Sequence, residues 1–195
     1  MRMSLRFPIA VVLSIVCLAA PAWADYQAGM DAYNRGDYAT ALREWRPLAE
    51  LGLAPAQFNL GLLYANGQGV PQDYVQARQW YEKAAIQGDA LAQLSLGDIY
   101  GNGKAVPKDY QLALYWFRLS ANQGNAMAQT QLGLMYERGN GVPQDVVLAQ
   151  KWYILGAANG DNLGAEHRDA LAKQMTPAQI FQAQQRAREP KPKSK

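Results

Sequence analysis

The feature that most constrains this chain is a repeat of fixed period. Trp80, Trp116 and Trp152 stand 36 residues apart, as do Gly61, Gly97 and Gly133, then Pro71, Pro107 and Pro143, and then Gly88, Gly124 and Gly160. Three units, 53–88, 89–124 and 125–160, follow one another without insertion. A period of this length marks a supersecondary unit that cannot bury its apolar face alone and must stack on its neighbours.

Each unit reads as two helices. Ala56, Leu60, Gly61 and Tyr64 share one face of the first, and Ala77, Trp80, Tyr81, Ala84 and Ala85 form the buried stripe of the second. Gly88, Gly124 and Gly160 stand where a left-handed residue ends a helix. Asn66 to Asp73 makes the turn between helices, with Val70 expected to plug it onto them. Asp73, Asp109 and Asp145 are expected to cap the second helices, with Gln76 able to complete a capping box in the first unit. Gly61 and Ala56 allow close helix approach, and Trp80 and Tyr81 fill the space between layers. A tryptophan column that recurs reads as core rather than as a ligand cage.

The flanks are variants of the unit. In 25–52, Tyr38, Ala41, Trp45, Ala49 and Gly52 precede Tyr74, Ala77, Tyr81, Ala85 and Gly88 by one period, with only the loop shortened. In 161–188, a helix from Asn162 to Lys173 precedes a last one that Thr176, Pro177 and Gln179 start as N-cap, first position and capping-box partner. Ile180, Ala183, Gln184 and Ala187 give that helix a weakly apolar stripe, and 189–195 reads as a disordered basic tail.

Residues 1–24 stand apart. Arg2 and Arg6 precede an apolar run from Phe7 to Ala20, and Ala22-Trp23-Ala24 supplies small residues for a signal peptidase. This is the pattern of a secretory signal cleaved before Asp25, and the run is short for a membrane span of ~20 residues. A periplasmic or secreted location follows as the expectation. Cys17 is the only cysteine, so the processed chain can form no disulfide, thiolate metal site or cysteine nucleophile. Between Asp25 and Gln185 there are 12 basic and 15 acidic residues, so the high overall pI comes from the two ends. No nucleic-acid footprint is expected of such a body. Membrane contact is expected only through the signal or the basic tail.

The unit Ala-x-Ala-Gln-x-x-Leu-Gly-x-x-Tyr-x-x-Gly-x-Gly-Val-Pro-x-Asp-Tyr-x-x-Ala-x-x-Trp-Tyr-x-x-Ala-Ala-x-x-Gly-Asp, seen at Ala54 to Asp89, resembles the Sel-1-like repeat. The second copy has Ala105 for the second loop glycine and Phe117 for the second aromatic, and the third has Val146 where its predecessor has Tyr110. The resemblance covers residues 26–188. It implies an all-α fold, a right-handed α-solenoid of helix–turn–helix repeats related to tetratricopeptide arrays. It also implies an adaptor or regulatory role through protein or peptide partners. One subset of the family resembles secreted cysteine-rich enzymes; the absence of cysteine after position 24 argues against it here.

No constellation for chemistry emerges. His167 is the only histidine and reads as structural, since a metal site needs several such ligands together. Ser95, Ser120 and Ser194 sit in no nucleophile elbow. The Gly-x-Gly loops at 67–69, 101–103 and 139–141 follow helices and run on toward Val-Pro, unlike a phosphate loop. Asp73, Asp109 and Asp145 read as caps before catalytic acids. The expectation is a protein that is not an enzyme and takes no cofactor or metal. It would bind a partner polypeptide on the concave side lined by the first helices. The candidate contact columns there are Phe58, Leu94 and Thr130; Asn59, Ser95 and Gln131; Leu62, Asp98 and Leu134; and Asn66, Asn102 and Arg138. The alternatives are a periplasmic regulator that restrains a membrane sensor or envelope enzyme, a basic tail that touches anionic lipid, and, in another class, a secreted hydrolase.

Overall fold

The computed structural model describes residues 23–189. Residues 1–22 of the expected signal at 1–24, with Cys17, and residues 190–195 of the expected tail at 189–195 lie outside the described residues. The chain runs as α1 (23–34), α2 (Tyr38–Glu50), α3 (Ala54–Asn66), α4 (Tyr74–Ile86), α5 (Ala90–Asn102), α6 (Tyr110–Asn122), α7 (Ala126–Arg138), α8 (Val146–Ala158), α9 (Asn162–Ala172) and α10 (Pro177–Arg188). Among the described residues there is no strand. The helices pair as hairpins, α3 with α4, α5 with α6 and α7 with α8, and each second helix also packs on the first helix of the next unit. The architecture is an α-solenoid of consecutive helix–turn–helix repeats.

Local chemistry sets each boundary. Asp73, Asp109 and Asp145 each accept two backbone N–H bonds at the start of a second helix, for example from Val75 and Gln76 at 2.8 and 3.0 Å. Gln76 enters only through its backbone; the reciprocal side-chain bond of a full capping box forms instead at Thr176 and Gln179, where α10 begins. Gly88 takes φ +95°, the left-handed region, and its N–H donates to Ala85 while that of Asp89 donates back to Ala84. This pair of bonds closes the helix end, and it recurs at Gly124 and Gly160. The residue after the glycine then caps the next helix through its own side chain: Asp89 for α5, Asn125 for α7 and Asp161 for α9. The 36-residue unit therefore joins its neighbour without a linker.

Packing within each hairpin turns on a missing side chain. A Cβ at Gly61 would sit 2.7 Å from the Tyr81 ring, and Gly97 and Gly133 meet Phe117 and Tyr153 as closely. Tyr81, Phe117 and Tyr153 are accordingly buried, at 3%, 4% and 0% exposure. The tryptophan column differs from the expectation. Trp80, Trp116 and Trp152 are half-buried and pack from the side onto the core of the hairpin before them. The cause is helical geometry: the neighbouring aromatic fills the slot over the glycine, and one residue earlier on the helix points about 100° away. Lys83 Nζ lies 3.8 Å from the Trp80 ring centroid, on the side left open.

A second repeated device holds one unit to the next. The buried Gln57 amide donates to the Ala49 carbonyl at 3.0 Å, and its oxygen accepts from Gln87 at 2.8 Å. Gln93 repeats this with Ala85 and Gln123, and Gln129 with Ala121 and Asn159. Gln87 and Gln123 also donate to the carbonyls of Gly52 and Gly88. Each glutamine thus ties the ends of two successive second helices to the first helix between them. The two ends of the stack pack differently from the units between them. Trp45 is buried at the Tyr81 position, with its indole N–H donating to the Tyr26 carbonyl. At the other end Ala183 and half-buried Ile180 and Ala187 face inward, while Gln184 faces solvent.

Candidate functional interface

The first helices α3, α5, α7 and α9 form a face bordered by second-helix residues, Tyr74 and Tyr81 of α4 and Tyr110, Ala113 and Phe117 of α6. Three clefts open on it, and all three are lined by Asp98. Between α3 and α5 Asp98 is joined by Asn66, Ser95 and Lys104. A cleft of about 270 Å³ between α5 and α7 adds Asn102, Gln131, Leu134 and Arg138. Toward α9 the lining includes Leu94, Met127, Thr130, Leu134, Leu163 and His167.

Nine of the twelve candidate contact residues meet in these clefts, and the structure divides them by availability. Asn66, Asn102 and Arg138 are exposed; Ser95, Asp98, Gln131 and Leu134 are half-buried with part of the side chain in water. Leu94 and Thr130 are buried and form the floor, the Thr130 hydroxyl donating to the Ala126 carbonyl at 3.3 Å. Phe58, Asn59 and Leu62 line none of the three. Phe58 packs against Tyr81 with ring centroids 5.7 Å apart. Asn59 is buried and donates to the Tyr26 hydroxyl at 3.1 Å, which ties α3 to α1. Leu62 is half-buried.

The electrostatics single out Asp98. Burial holds its carboxyl above the ordinary carboxylate range, and Lys104 pulls it the other way. Among the described residues its carboxylate has no hydrogen-bond or ion-pair partner; Asn102 donates only to its backbone carbonyl. His167 lies half-buried and stacked on Tyr153 at 5.2 Å, the structural role expected of it. Burial first, and then the bond from its hydroxyl to Glu137, raise the Tyr153 pKa. Among the described residues no group of His, Cys, Asp and Glu could hold a metal ion. The contact-column comparison did not single out Lys104, Met127 and Leu163. Met127 and Leu163 carried a readable signal, since they and Leu91 form an apolar column one period apart.

A cleft of about 670 Å³ lies elsewhere, at the C-terminal ends of α6, α8 and α10. It contains none of the candidate residues. Its amides Gln123, Gln129 and Asn159 are already bonded to each other and to the backbone in the seam between units.

Comparison with known proteins agrees with this architecture. The Sel1 repeat model matches residues 54–89, 90–125 and 126–161. No curated protein gives a significant sequence match. Among solved structures, the protective antigen c5321 of uropathogenic Escherichia coli is 39% identical, with TM-score 0.71, over 78% of this chain and 33% of its own. The chain thus spans about a third of that antigen's length. A Sel1 repeat protein from Oxalobacter formigenes is 33% identical, with TM-score 0.71, over 85% of this chain and 73% of its own. Cysteine-rich protein B of Helicobacter pylori, 22% identical with TM-score 0.54 over 67% of this chain and 93% of its own, shares the fold. The matched repeats, the solenoid and the two relatives above 30% identity place this chain in the Sel1 repeat family.

Proposed function

We propose that this chain is an exported adaptor that holds a partner polypeptide on the open face of its first helices and performs no chemistry of its own. Sel1 repeats are in general protein-interaction folds. The observation that carries the reading is Asp98: a half-buried carboxylate at the meeting point of three clefts, with no partner among the described residues. A half-buried carboxylate keeps only part of its hydration, and among the described residues the fold gives it no partner in exchange. A partner would supply what the fold does not. Asn66, Asn102, Gln131 and Arg138 around it offer donors and acceptors suited to an extended backbone.

Export rests on the N-terminal pattern of residues 1–24. Fractionating the native chain and sequencing its N-terminus should give a periplasmic or secreted protein that starts at Asp25; a cytoplasmic chain that retains residue 1 would refute export. Docking is tested by capture from an envelope fraction with the parent and with a Leu62→Ala, Asp98→Asn, Arg138→Ala variant of equal helix content. The reading expects a species held by the parent and lost by the variant. Equal capture by both would refute the assignment of this face.

A further inference from the structure

The docking reading leaves the chemistry of the bound segment open, and the cleft among α5, α7 and α9 narrows it. The inference rests on that reading. The cleft has an apolar wall made by Leu94, Leu134, Met127 and Leu163. Met127 and Leu163 are 53% and 59% exposed, and Leu91, one period before, is 45% exposed. Three successive units therefore leave an apolar side chain in water at the same place.

The charges in this cleft share one sign. Its acidic lining residues are Asp98 and Asp161, and neither lysine nor arginine lines it. Asp161 accepts the Leu163 N–H at 3.3 Å as the cap of α9. Lys104 lines the α3–α5 cleft and Lys108 and Arg138 the α5–α7 cleft, both of which Asp98 also lines, but among the described residues none forms an ion pair with it: Lys104 Nζ lies 5.0 Å from the Tyr74 ring and Lys108 Nζ 5.5 Å from that of Tyr110. An apolar wall that leads to a carboxylate with no partner complements a side chain with an aliphatic stem and a cationic head.

We propose that the open face accepts a polypeptide segment carrying a lysine or arginine whose stem lies across Met127, Leu134 and Leu163 and whose head pairs with Asp98. The neighbouring amides then hold the segment's backbone, and the cation sets which segment binds. An acidic side chain at this one position is disfavoured by the two carboxylates that line the cleft.

The test selects a random peptide library displayed on phage against the immobilised protein, then measures the enriched peptides by fluorescence anisotropy. Lysine or arginine should be enriched next to apolar residues. Changing that residue to norleucine should weaken binding about tenfold or more. Asp98→Asn should weaken it equally, and the two changes together should cost little beyond either alone, a coupling that a loss of fold would not mimic. Enriched peptides without a basic preference, or with equal affinity for Asp98→Asn, would overturn this inference and leave docking standing. A library that yields no binder would overturn both.

Discussion

The seams between units and the open face of the first helices are built from the same 36-residue period, yet they use it in opposite ways. At the seam, Gln57, Gln93 and Gln129 recur in the same bonds, and inside each hairpin Tyr81, Phe117 and Tyr153 fill the same slot over a glycine. On the open face the matching columns change character, from Leu62 to Asp98 to Leu134 and from Asn66 to Asn102 to Arg138. A column whose neighbours are the next unit must keep its atoms, because a change leaves a void or an orphaned polar group. A column that faces water is free to suit a partner.

That contrast predicts a graded set of effects. The largest belongs to the repeated core: Phe117→Ala should lose about 3–5 kcal/mol in chemical denaturation, because it empties the buried slot over Gly97. A loss no larger than that of a surface substitution would break the contrast. Next comes Gln93→Ala, which removes both bonds of a buried junction and leaves the Ala85 carbonyl and the Gln123 amide each short of one. It should cost about 2 kcal/mol by the same measurement. Ala105→Gly should work in the other direction. Ala105 is the one non-glycine with positive φ among the described residues, at φ +61°, where units one and three have Gly69 and Gly141. Relieving it should raise stability by about 1 kcal/mol. A loss there would show that the loop needs the methyl group.

The smallest stability effect belongs to the open face. Asp98→Asn should keep stability at pH 7 within about 0.5 kcal/mol of the parent or raise it, while weakening capture. The pH dependence gives the sign. Burial raises the Asp98 pKa in the folded chain, so the fold holds that proton more tightly than the unfolded chain does. The group therefore adds stability as pH falls through its folded pKa and loses that increment as pH rises through it. Thermal melts from acid to neutral pH should favour the variant progressively relative to the parent. A steady advantage for the parent at neutral pH would mean that the carboxylate serves the fold.

Much of this was legible from the residues. Thr176, Pro177 and Gln179 announced their capping box, and the glycines at 88, 124 and 160 announced the helix ends, because both signals depend only on neighbours in sequence. The period also showed which side chains recur, but not which recurring atoms meet. Trp80 and Tyr81 are adjacent and recur together, and only the three-dimensional slot over Gly61 decides which of them is buried. The glutamine column was visible as part of the unit, while its partners lie eight residues before and 30 residues after it, across two turns of chain. Aligning Asn59 with Ser95 and Gln131 treated unit one as equivalent to the others. Its neighbour is the variant α1–α2 hairpin, where Tyr26 draws the amide inward. On the open face, Asp98, Asn102, Gln131, Leu134 and Arg138 of those columns line two adjoining clefts.

The most direct test of the central claim is amide hydrogen exchange read by mass spectrometry, with and without an enriched peptide bound. Bound peptide should add protection in α5 and α7, centred on 94–102 and 130–138, and leave the second helices α4, α6 and α8 unchanged. Protection confined to the second helices, with the first helices exchanging as before, would contradict that claim.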